Sequence, residues 1–359
     1  MFVSSLGSIT GADNRLGLPR AKRVIVVLVD GLGAQNLKAA AGHAPFLNAA
    51  LAFTKPIACG FPSTTATSIT SFGTGVAAGF HGIVGYKVFD RLAGESVNML
   101  NGWNAKQTPE VWQREQTVTQ KALAGGVGAF VIGPPAYNDS GFTRATMRDA
   151  KYVPARSIAE RVAAAQQLLR TEKSEFICYL YVPELDQIAH SAGVTSSNWL
   201  HELENLNSEL QSLANSLGVG DALIITADHG VVDVPESGHI YLDEAQLDWS
   251  LVADVSGDPR VNFVYLKDSD YQGAASSVLS EMLGDRGLVL GRDQIVEAGW
   301  YGQVQPDVLN RLPDLFVLAT KNVAIYQRDF APAASLKMVG QHGALSSAEM
   351  MIPLLRFGR

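Results

Sequence analysis

Three aspartates, three histidines and one hydroxyl-rich segment carry the chemistry that this sequence could perform. Asp186-Gln187-Ile188-Ala189-His190 sets a carboxylate and an imidazole four residues apart, which is one face of a helix. Asp228-His229-Gly230 comes directly after an apolar run, and Asp30-Gly31 comes directly after another. His342 stands in Gly340-Gln341-His342-Gly343, flanked by glycine and amide. Taken singly, these patterns read as a helix-surface ion pair, two capped turns and a loop histidine. Taken together, they supply two sets of nitrogen and oxygen ligands. Such mixed sets suit zinc and, less tightly, manganese. Cys59 and Cys178 are the only cysteines, so neither a structural Cys-rich zinc site nor a disulfide framework is expected.

The hydroxyl-rich segment is Phe61-Pro62-Ser63-Thr64-Thr65-Ala66-Thr67-Ser68, continuing to Thr74-Gly75. Its plain reading is a Ser/Thr-rich loop and helix cap. Its chemical reading is a helix N-terminus whose free N–H groups and positive dipole end favour a phosphate or an alkoxide. A hydroxyl there becomes a useful nucleophile when a divalent cation lowers its pKa.

Elements able to position these groups are visible in the hydropathy pattern. Arg23–Val29, Phe176–Val182 and 222–227 are short continuous apolar runs, the pattern of strands covered on both faces. Asp30, Asp186 and Asp228 each fall just beyond one of them. Ser157-Ile158-Ala159-Glu160 opens a helix running to about Arg170. A second helix, Ser197 to Leu217, places Leu200, Leu203, Leu206, Leu210, Leu213 and Leu217 on one stripe, with Gly218 as its stop. Strand and helix in alternation predict an α/β fold, an open and mostly parallel sheet with helices on both faces. Ligands of such sheets bind beyond the carboxyl ends of the strands, where the three aspartates stand.

Beyond Pro235 the texture changes to strand 261–266, helix 272–283 and strand 288–290. We expect a single domain over residues 1–359, with 236–310 a small α+β insertion or cap. Leu315–Ala319 is read as a return to the core. At 47% hydrophobic and 18% charged residues the chain is globular rather than disordered. A formal charge of −7 without a basic run disfavours binding to bulk nucleic acid or to an anionic membrane. No run approaches the length of a membrane span, the N-terminus lacks the pattern of a secretory signal, and the two cysteines point to a cytoplasmic setting. Oligomeric state, natural substrate and pathway have no signature in the residues.

In this order along the chain, Asp30, Phe-Pro-Ser-Thr-Thr65, Asp186-xxx-His190, Asp228-His229-Gly230 and Gly-Gln-His342-Gly resemble the nucleotide pyrophosphatase/phosphodiesterase branch of the alkaline phosphatase superfamily. Phe80-His81-Gly82-Ile83-Val84-Gly85-Tyr86 and Thr108-Pro109-Glu110-Val111-Trp112 add to the likeness. The resemblance implies an alkaline-phosphatase-like fold and two divalent metal ions. One would be held by Asp186, His190 and His342, the other by Asp30, Asp228, His229 and the nucleophile oxygen. It implies Thr65 as nucleophile, three residues after Pro62, with Thr64 as the competitor if the register slips by one. The implied activity is hydrolysis of a small phosphate ester or nucleotide through a covalent phospho-threonine. A phosphonoacetate-type hydrolase or a phosphomonoesterase on the same fold is the alternative, and a metal-binding pseudoenzyme the non-catalytic one.

Where the family often carries Phe-Pro-Asn after the nucleophile, this chain has Ala66-Thr67-Ser68, which gives Ser68 the role of contacting a phosphoryl oxygen. His239 and Arg144 are further candidates for substrate contact, with Arg148 and Lys87 as possible cations for a monoester. His81 reads as structural, and Trp103, Trp112, Trp300 and Tyr301 as core, with a base-stacking wall among them as the alternative.

Overall fold

The computed structural model describes residues 1–12 and 14–358. Five parallel strands are laid down first: β1 (Arg23–Val29), β2 (Gly128–Gly133), β3 (Lys151–Pro154), β4 (Phe176–Val182) and β5 (Asp221–Thr226). Four antiparallel strands then build a second sheet: β6 (Val252–Asp258), β7 (Val261–Leu266), β8 (Gly287–Gly291) and β9 (Leu315–Ala319), in the order β6-β7-β9-β8. The last strand, β10 (Leu354–Gly358), returns to the first sheet and pairs antiparallel with β5. The first sheet therefore runs β10-β5-β1-β4-β2-β3.

Alternation along the central strands explains why their sequences are apolar throughout. Ile25, Val27 and Val29 of β1 join Cys178, Leu180 and Val182 of β4 in one buried cluster. Val24, Val26 and Leu28 join Ile177 and Tyr179 in another, on the opposite face. The first face is covered by α3 (Ile158–Thr171) and α5 (Ser197–Asn215), and the second carries α1 (Phe2–Thr10) and Ile69 of α2 (Thr65–Thr74). Residues one apart point to opposite faces, so a doubly covered strand has no polar side to show.

The helical stripe follows expectation with one exchange. Leu203, Leu206, Leu210, Leu213 and Leu217 are buried, whereas Leu200 is only half-buried and Trp199 takes the covered place beside it. Helix α5 ends at Asn215, ahead of Gly218. The Gly218 N–H donates to Asp221 Oδ2 at 2.8 Å, and Asp221 is ion-paired with Arg23 at 2.6 Å. Gly218 thus belongs to the turn into β5. Ser157 caps α3 by accepting from the Glu160 N–H, but the Glu160 side chain reaches back one residue further, to the Arg156 N–H.

Leu315–Ala319 does not return to the central sheet. It pairs with β7 and β8, and its apolar residues complete the second sheet's own core around α6 (Gln272–Leu283), with Leu279 and Leu283. A continuous apolar run marks a covered strand without saying which sheet covers it.

Truncating Leu210 to alanine should cost about 2–5 kcal/mol of stability, because its site is closed on all sides. Leu200→Ala should cost distinctly less, and urea unfolding of the two variants measures the difference.

Candidate active site

The carboxyl ends of β1, β4 and β5 open on one point. Asp30 follows β1 directly, and the register β4-β1-β5 brings Val182, Val29 and Thr226 to one edge. Helix α4 (Glu184–Ala192) starts just past β4 and carries Asp186 and His190 on one face, with His190 Nε2 at 3.1 Å from Asp186 Oδ2. Gly31 lets the chain make that approach. Its φ is +73°, and a Cβ there would come within 3.2 Å of the Asp186 backbone. His342 is delivered by a two-residue ladder in which Gly340 pairs with Asp233 and Gln341 with Val232, setting it beside the Asp228-His229 loop.

Each histidine is oriented the same way. Nδ1 meets a backbone carbonyl: Gly340 for His190 at 2.8 Å, Ser63 for His342 at 2.9 Å, Gly230 for His229 at 3.2 Å. A carbonyl only accepts, so Nδ1 carries the hydrogen and Nε2 is left facing the cluster, the arrangement of metal-ligating histidines. His229 Nε2 lies 3.3 Å from Asp30 Oδ1 and 3.6 Å from Asp228 Oδ2, and His342 Nε2 lies 4.0 Å from Asp186 Oδ1. The ligand atoms of Asp186, His190 and His342 form one close group, and those of Asp30, Asp186 and His229 another.

Three of these carboxylate oxygens, Asp30 Oδ1, Asp186 Oδ1 and Asp228 Oδ2, are buried with no hydrogen-bond partner among the described residues. Orphaned buried carboxylates are unfavourable unless a cation completes them, so the donor set fits divalent ions. Asp228 Oδ1 is satisfied by the N–H groups of Gly31 and His229, and Asp30 Oδ2 by the Tyr181 hydroxyl.

Thr65 is the first residue of α2, and its Oγ1 lies 3.1 Å from His229 Nε2. Thr64, the residue before the helix, turns its hydroxyl to Thr67 Oγ1 instead. Ser63 ties this N-terminus to the His342 segment, donating to the Ala344 carbonyl at 2.7 Å and accepting from the Gly343 N–H at 3.2 Å. A model of the type I phosphodiesterase/nucleotide pyrophosphatase family matches residues 24–345.

The chain belongs to that family.

Solved structures agree in fold. Murine ectonucleotide pyrophosphatase/phosphodiesterase 5, as an inactive threonine-to-alanine variant in complex with AMP, superposes with a TM-score of 0.73 at 19% identity, covering 94% of this chain and 88% of that one. The unaltered murine protein and its human counterpart give the same values. No curated protein sequence matches the chain.

Around this cluster lie two cavities that meet at Thr65. The first, of about 640 Å³, is lined by Asp30, Asp186, His190 and His342 on one side and by Lys87, Asn98 and Asp258 on another. The second, of about 500 Å³, is walled by Trp103, Tyr137, Phe142, Tyr152, Tyr179 and Tyr181. Trp103 therefore does more than fill the core, whereas Trp112 and Tyr301 are buried in it.

The remaining candidates are more scattered. Ser68 Oγ is buried one turn into α2, without a hydrogen-bond partner among the described residues. Arg144 lines the second cavity but is engaged by Glu110 at 3.2 Å and by the Asp139 carbonyl at 3.0 Å. Arg148 donates to the carbonyls of Arg144 and Gln113. His239 stands one layer out, packed edge-on against Tyr326 at 5.0 Å. His81 is fully buried against Ser71 Oγ at 2.9 Å, and burial lowers it to about 3. Tyr181, Ser63 and Gly340 were not singled out from the sequence. Their roles depend on backbone carbonyls and on contacts across more than a hundred residues, which leave no local pattern.

Without metal the cluster must hold protons. Burial raises Asp228 well above the carboxylate range, and the charge of Asp30 adds to this. Burial would lower His229, but Asp228 and Asp30 outweigh it and raise the imidazole to about 10. Burial and the neighbouring His229 push His342 far down. A metal takes the deprotonated ligands, so its binding to chelator-treated protein should release protons at pH 7, with affinity rising towards pH 10. Calorimetric titration with zinc in two buffers of different ionisation enthalpy tests this; heats independent of the buffer would contradict it.

Proposed function

We propose that this protein is a two-metal phosphodiesterase of the nucleotide pyrophosphatase type, with Thr65 as its nucleophile. The observation that carries the reading is the Thr65 hydroxyl at a helix N-terminus, 3.1 Å from His229, against a set of orphaned carboxylates. Asp186, His190 and His342 would hold one ion, and Asp30, Asp228, His229 and Thr65 the other. Zinc is favoured by this mixed donor set and manganese is second. When bound, such ions lower the pKa of a hydroxyl and neutralise charge on phosphoryl oxygens.

The protein's own groups do the rest. Thr65 Oγ1 forms a bond to phosphorus while the ester bond to the alcohol breaks, and the alcohol leaves with the electron pair and a proton. Water then cleaves the phospho-threonine and restores the hydroxyl. The free N–H groups opening α2 face the negative charge that builds up on the phosphoryl oxygens, and Ser68 adds a hydroxyl one turn further in.

A nucleotide substrate is supported by the aromatic wall of the second cavity, which suits a flat base, and by the AMP bound to the murine neighbour. The unit read as 236–310, together with β9, would act as a cap, since Asp258 and Asn262 of the second sheet line the first cavity. Lys87, lining the same cavity, is the one observation that favours a phosphomonoesterase.

Thr65→Ala should lower kcat by roughly 10³-fold or more while zinc still binds. Bis(p-nitrophenyl) phosphate and p-nitrophenyl phosphate, assayed side by side with and without chelator, read activity, metal dependence and preference. Near-normal diester turnover by Thr65→Ala would remove the nucleophile from this account.

A further inference from the structure

Asp258 has no role in the chemistry above, yet it lines the cavity that holds Thr65 and the metal ligands. Its Oδ2 is buried with no hydrogen-bond partner among the described residues. It stands at the end of β6 in the turn Gly257-Asp258-Pro259-Arg260, and this turn is held firmly. Gly257, at φ +85°, has no room for a side chain, since a Cβ there would lie 2.3 Å from the Val261 carbonyl. Asn262 donates to the Asp258 carbonyl at 3.2 Å and to the Ile325 carbonyl at 2.9 Å. Arg260 is buried in an ion pair with Glu349 at 2.7 Å, and Glu349 Oε1 accepts from the Ala344 N–H, two residues past His342. Burial raises Asp258 to about 7, so above that pH it is a carboxylate, fixed rigidly and left without a donor, an acceptor awaiting a ligand.

The same cavity decides what kind of donor fits. Lys87 lines it, and the centre nearby is designed for cations, so an ammonium group would meet repulsion as well as attraction. A hydroxyl carries no charge to be repelled, and it can both donate and accept. Asn98 lines the same cavity: its Oδ1 is taken by the N–H groups of Leu100 and Asn101, and its amide NH₂ stands beside the Tyr86 hydroxyl as a donor.

We propose that Asp258 is a specificity-determining residue that accepts hydrogen bonds from hydroxyl groups on one ester group of the substrate. The favoured substrates are then phosphodiesters in which that group is a polyol. This rests on the phosphodiesterase reading and adds to it the chemistry of the second substituent.

The test compares kcat/KM for 2,3-dihydroxypropyl p-nitrophenyl phosphate with that for its propyl counterpart, counting only the acyclic products, since the 2-hydroxyl can by itself displace p-nitrophenolate and close a cyclic phosphate. Phosphorus NMR reads cleavage of either ester bond, and the 2-ammonioethyl ester is the third substrate. The zinc-loaded protein should favour the dihydroxypropyl ester over the propyl ester by about tenfold or more. Asp258→Ala should bring that ratio close to one, and Asp258→Asn, which keeps the shape of the turn, should leave it in between. A wild-type ratio near one, an unchanged ratio in Asp258→Ala, or a preference for the ammonioethyl ester overturns the proposal and leaves the phosphodiesterase reading standing. Failure of the wild-type protein to cleave any of the three, or bis(p-nitrophenyl) phosphate, overturns both.

Discussion

Three carboxylates held together in a buried place are the constraint on which the rest of this molecule depends. Asp30, Asp186 and Asp228 each present an oxygen that no described protein group satisfies. Like charges this close repel strongly in a poorly hydrated interior; with burial they raise Asp228, and their field raises His229, whereas burial and His229 itself lower His342. A fold that maintains such an arrangement must fix its backbone firmly, and the parallel sheet does so. Its strands β4, β1 and β5 are hydrogen-bonded neighbours in unbroken register, so the residues after their ends cannot drift apart.

Orientation is set by a second layer that is almost entirely backbone. The three histidine Nδ1 atoms are each committed to a carbonyl, and Ser63 links the start of α2 to the segment that carries His342. The nucleophile candidate and a metal-ligand candidate are therefore positioned by one shared set of hydrogen bonds, although nearly 280 residues separate Ser63 from Gly343. The second sheet adds a further wall. The buried Arg260–Glu349 pair joins its β6–β7 turn to the chain just beyond His342, so that wall is tied to the centre it faces.

Much of this was legible in the residues. Continuous apolar runs ending in Asp30 and Asp228 gave the parallel strands and their functional edge. The i, i+4 pair Asp186/His190 gave a helix face, and the ordered set of motifs gave a family that the matching family model bears out over residues 24–345. The pattern was less informative beyond residue 235. Val261–Leu266 and Leu315–Ala319 look alike as buried strands of the central sheet or of another, because burial leaves the same apolar signature in both.

What the sequence determined by itself was therefore the donor set, the hydroxyl segment and the periodicity of the strands and helices that carry them, since these follow from residue type and local spacing. The tertiary structure decided which sheet β9 joins, which of two adjacent threonines meets His229, and that Tyr181, Ser63, Gly340 and Asp258 surround the centre. Those outcomes turn on register, on a helix's rotation by one residue and on carbonyl groups that every residue possesses. Such features acquire meaning only when distant segments are brought within a few ångströms of one another.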